Sequence, residues 1–64
     1  MGQIEKAAWL VRFAAELQRI RPLTEASAAS QAARDTYDMA NRLVPETAAG
    51  VYAKVLDEEL GAPD

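Results

Sequence analysis

The side chains that most often carry out chemistry are missing or scattered in this chain. It contains no histidine and no cysteine. No group therefore titrates near neutrality without perturbation, and there is no thiolate nucleophile. The same absence removes disulfides and the usual zinc ligand sets. Ser27 and Ser30 fall within one helical pattern, with no partner base in view. Carboxylates remain as candidates for acid–base work. Asp35 and Asp38 are three residues apart but sit between Arg34 and Arg42, and read as solvated helix charges. The run Asp57, Glu58, Glu59 falls at the end of a helix, where acidic side chains oppose the helix dipole, and reads as an acidic surface. No calcium loop, P-loop or dinucleotide fingerprint is present. The residues predict a non-catalytic protein that holds neither cofactor nor metal.

Arg12, Arg19 and Arg21 form the one cluster with the chemistry for anion contact. The first 34 residues carry five cations against three carboxylates, a net of +2, whereas residues 35–64 carry two against seven, a net of −5. The total of −3 argues against a freestanding nucleic-acid binder, which shows a strong basic footprint. A helix-turn-helix formed by the last two helices fits poorly. Its turn at Val44-Pro45 lacks glycine, and its recognition helix starts at Glu46 with Lys54 as its cation.

These residues must be positioned by helices. Fourteen of the 64 residues are alanine, the best helix former, with three glycines and three prolines. Alternating strand-like stretches are absent. A first helix is predicted over about 3–21, stopped by Pro22. A second is predicted over 24–43, with Thr24 as N-cap and Leu23 set to staple against Ala28. A third is predicted over 45–60, with Pro45 at its first position or a start delayed to Thr47. Residues 61–64 form a short tail after the cap residue Gly61. The expectation is one all-α domain, 1–64, in which three short helices form a compact bundle, completed by dimerisation if the core alone is insufficient.

The predicted faces differ between helices. On helix 2, Ala29, Ala32, Ala33, Thr36, Ala40 and Leu43 share one side, flanked by Tyr37 and Met39. On helix 3, Val51, Tyr52, Val55, Leu56 and Leu60 face one way. Helix 1 is apolar over most of its circumference: Ile4, Ala7, Leu10, Val11, Ala14 and Leu17 make a band that Trp9, Phe13 and Ile20 extend. Such a helix is either buried on most sides or carries an exposed patch that pairs with another chain. In the first case Trp9 and Phe13 fill the core that the alanines leave empty. In the second, Trp9, Phe13, Leu17 and Ile20 are a protein interface.

The functional expectation is a small helical protein–protein interaction module that docks its helix 1 surface on itself, as a homodimer, or on a larger partner. A nucleic-acid-associated regulator using Arg12, Arg19 and Arg21 is one alternative. An acidic inhibitor whose acidic half, residues 35–64, occupies a basic, nucleic-acid-binding groove of its target is another. No apolar run approaches the roughly 20 residues that span a bilayer. The N-terminus does not read as a signal peptide, and the lack of cysteine fits a reducing compartment. A cytoplasmic location is therefore expected.

Overall fold

A computed structural model describes residues 4–61, with side chains for 4–59. Three α-helices follow one another: α1 (Lys6–Ile20), α2 (Ala26–Ala40) and α3 (Pro45–Leu56), the last running into a π turn at Asp57–Gly61. There is no strand among the described residues. The all-α, three-helix architecture is the one that the proline breaks and amphipathic patterns predict. Gln3 and the tail 62–64 lie outside the described residues.

The helix ends are shorter than predicted, and local hydrogen bonds explain why. Thr24 does not cap α2; Glu25 holds that position without a side-chain bond. The Thr24 amide closes the Pro22-Leu23 turn onto the Arg21 carbonyl at 2.9 Å, and its own carbonyl accepts from Gln18 Nε2 at 3.1 Å. Leu23 is 97% exposed, so no staple against Ala28 is made. At the other end of α2, Asn41 Nδ2 donates to the Tyr37 carbonyl at 2.9 Å and ends the helix at Ala40, before Leu43. Pro45 opens α3 at its first position, as its fixed φ favours. The α-helical part of α3 stops at Leu56 rather than reaching residue 60; three successive carboxylates at its carbonyl end oppose the dipole there.

Helix α1 is the hub. Both α2 and α3 pack along it, while α2 and α3 barely touch each other. Short turns make successive helices antiparallel, so α1 and α3 run in the same direction. Two ion pairs mark that register: Arg12 binds Glu46 near one end, and Arg21 binds Asp57 near the other.

The core faces settle the two readings of helix 1. Trp9, Phe13 and Leu17 repeat every four residues and form the buried stripe of α1, at 1%, 0% and 1% exposure. Of the band predicted beside them, Leu17 is buried and Ile4, Leu10 and Ala14 pack partly against the core, whereas Ala7 and Val11 face outward, Val11 at 67% exposure. Six alanines, Ala29, Ala32, Ala33, Ala48, Ala49 and Ala53, complete the buried cluster. Alanine faces let α2 and α3 approach α1 closely, and the remaining volume must come from the largest side chains available. Trp9 stacks on Phe13 with centroids 5.3 Å apart, Tyr37 meets Trp9 edge-on at 5.2 Å, and Tyr52 meets Phe13 edge-on at 5.7 Å. Each such pair is worth roughly 0.5–1.5 kcal/mol beyond its buried area.

The prediction for α3 is corrected in part: Tyr52 of the predicted face packs against the core, and the Leu60 side chain lies outside those described. The inward face of α3 is Pro45, Ala48, Ala49 and Ala53 rather than the valines. Val51 and Val55 are 53% and 44% exposed. Their branched bulk would hold α3 off α1, whereas alanine permits the close packing that the thin core requires.

Candidate docking groove

Because α2 and α3 each lean on α1 and not on each other, a cleft of about 360 Å³ opens between them. Thr36, Met39, Ala40 and Leu43 line it from α2 and the turn that follows; Ala48, Val51, Tyr52 and Val55 line it from α3. Asp35 stands at its edge. Four of these apolar side chains project into solvent: Met39 at 83%, Val51 at 53%, Val55 at 44% and Leu43 at 43% exposure. Contiguous exposed apolar side chains with a polar border mark interaction surfaces more often than isolated ones do. Methionine suits such a place, since its unbranched, polarisable chain adapts to irregular partners.

The groove has a fixed frame. Tyr52 reaches back to Phe13, and the Leu43 carbonyl accepts a hydrogen bond from Trp9 Nε1 at 3.0 Å. The core of α1 therefore sets the separation of the groove's two walls. Among the described residues no buried side-chain nitrogen or oxygen lacks a partner. Asp35 is the one titratable carboxylate lining the groove, and Gln31 Nε2 donates to it at 3.0 Å. Apart from Asp35, Thr36 and Tyr52, the lining residues are apolar.

Three of the four residues of the interface predicted on helix 1 are not on the surface of the folded chain. Trp9, Phe13 and Leu17 are buried within a single copy, because the alanine faces of α2 and α3 leave space that only these side chains fill. Ile20 remains partly exposed, at 37%, beyond the end of that stripe.

The three arginines are each engaged by a carboxylate. Arg12 holds Glu46 with two parallel bonds, Nε to Oε2 at 3.0 Å and Nη2 to Oε1 at 2.8 Å. These bonds, helped by the backbone amide of Glu46 itself, hold the Glu46 carboxyl below the usual carboxylate range. They also raise the Arg12 guanidinium. Arg19 pairs with Glu16 one turn away, Nε donating at 3.0 Å, and likewise depresses the Glu16 carboxyl. Arg21 pairs with Asp57 of the acidic run. Glu58 and Glu59 are exposed. The fold thus joins one end of the acidic run to one end of the arginine cluster, rather than presenting either as a field of a single sign. A shallower depression of about 340 Å³ lies over the turn Arg21–Thr24.

No known protein family, curated protein or solved structure matches this chain. No helix among the described residues is long and apolar enough to cross a membrane.

The groove residues escape a reading of the sequence because Val51 and Val55 outrank alanine in hydrophobicity and so appear to belong inside. The available signal is the alanine repeat at 48, 49 and 53, which marks a second and tighter face on the same helix.

Proposed function

We propose that this protein is a small, non-catalytic protein–protein interaction module that docks through the groove between α2 and α3. The observation that carries this reading is the exposure of Met39, Leu43, Val51 and Val55 along one continuous cleft. Covering them would add buried apolar area at about 25 cal/mol per Å² to a chain too small to bury much of its own. The occupant is a second copy of the chain, as a homodimer, or an amphipathic helix of a larger partner laid into the groove. The absence of histidine and cysteine, and of unpartnered buried polar side chains among the described residues, supports a non-catalytic role. The carboxylate partners of Arg12, Arg19 and Arg21 leave phosphate contact without a specific observation in its favour. A cytoplasmic setting is in keeping with the lack of cysteine.

The test is a photo-activated crosslinking residue placed at Met39 in the native host, with a control at Arg34, which is exposed and is not itself a lining residue of the groove. A discrete protein adduct is expected from position 39 and not from 34. No adduct from 39, or the same adducts from both, removes the groove as the docking surface.

A further inference from the structure

We draw no further inference here: the strongest candidate, the apolar groove between α2 and α3, belongs to the docking surface already described, and nothing in the structure shows what covers it, Asp35 being the one charged residue of its lining.

Discussion

Trp9 Nε1 donates a hydrogen bond to the Leu43 carbonyl across 34 residues of sequence, at 3.0 Å. This bond joins the centre of the core to the turn from which both groove walls rise. Replacing Trp9 with phenylalanine keeps an aromatic ring but leaves that carbonyl without its donor. The loss of the bond and of ring volume is expected to cost about 1–3 kcal/mol. Urea unfolding followed by far-UV circular dichroism measures it; an unchanged midpoint would show the bond to be dispensable.

Alanine at the buried face of α2 is expected to be intolerant of added bulk. Ala33 is 0% exposed against the aromatic core. Ala33→Leu should cost about 1–3 kcal/mol through overpacking. Ala40→Leu should cost less, because Ala40 is only half-buried and lines the open groove. Equal losses in the two variants would mean that the groove is closed in solution.

Much of this was legible in the residues themselves. Pro22 and Pro45 mark the breaks, and the alanine repeat of α2 marks its buried face, because backbone restriction and helical period act locally. The orientation of α1 and α3 was not legible, since it depends on which faces meet. Trp9 and Phe13 go inside because α2 and α3 bring alanine to the contact. Val51 and Val55 remain outside because Ala49 and Ala53 pack closer to α1 than they can. Pairings such as Arg12 with Glu46 lie 34 residues apart and follow only from the parallel run of α1 and α3.

Gly50 lies within α3, and a Cβ added there meets nothing within 4 Å. Glycine in a helix interior is less favourable than alanine because it gives up more backbone freedom on folding. Gly50→Ala is therefore expected to stabilise the protein by about 0.5–1 kcal/mol. A lower thermal midpoint would point to a partner or a close contact at that position.

The Arg12–Glu46 pair gives stability a pH dependence of definite sign. The folded Glu46 carboxyl is held below its ordinary value, chiefly by the Arg12 bonds. Its contribution is thus fully present above the unfolded carboxylate value of about 4.3, and is lost as pH falls through the lower folded value. The stability difference between wild type and Arg12→Gln, from urea midpoints, should favour wild type at pH 7 and shrink as pH is taken from about 5 to about 2. Both groups are exposed, so the difference is expected to be small. A difference that holds constant to pH 2 would assign the effect to packing of the arginine stem.

The most direct test of the division between core and docking surface is a pair of glutamate substitutions, Phe13→Glu and Met39→Glu, each followed by circular dichroism and light scattering. Phe13 is 0% exposed and Met39 is 83% exposed. Phe13→Glu places an unpaired carboxylate in the core and is expected to unfold the chain. Met39→Glu is expected to keep the helical fold and to lose association. A folded, monomeric Phe13→Glu protein, or a Met39→Glu protein that associates as wild type does, would contradict the account.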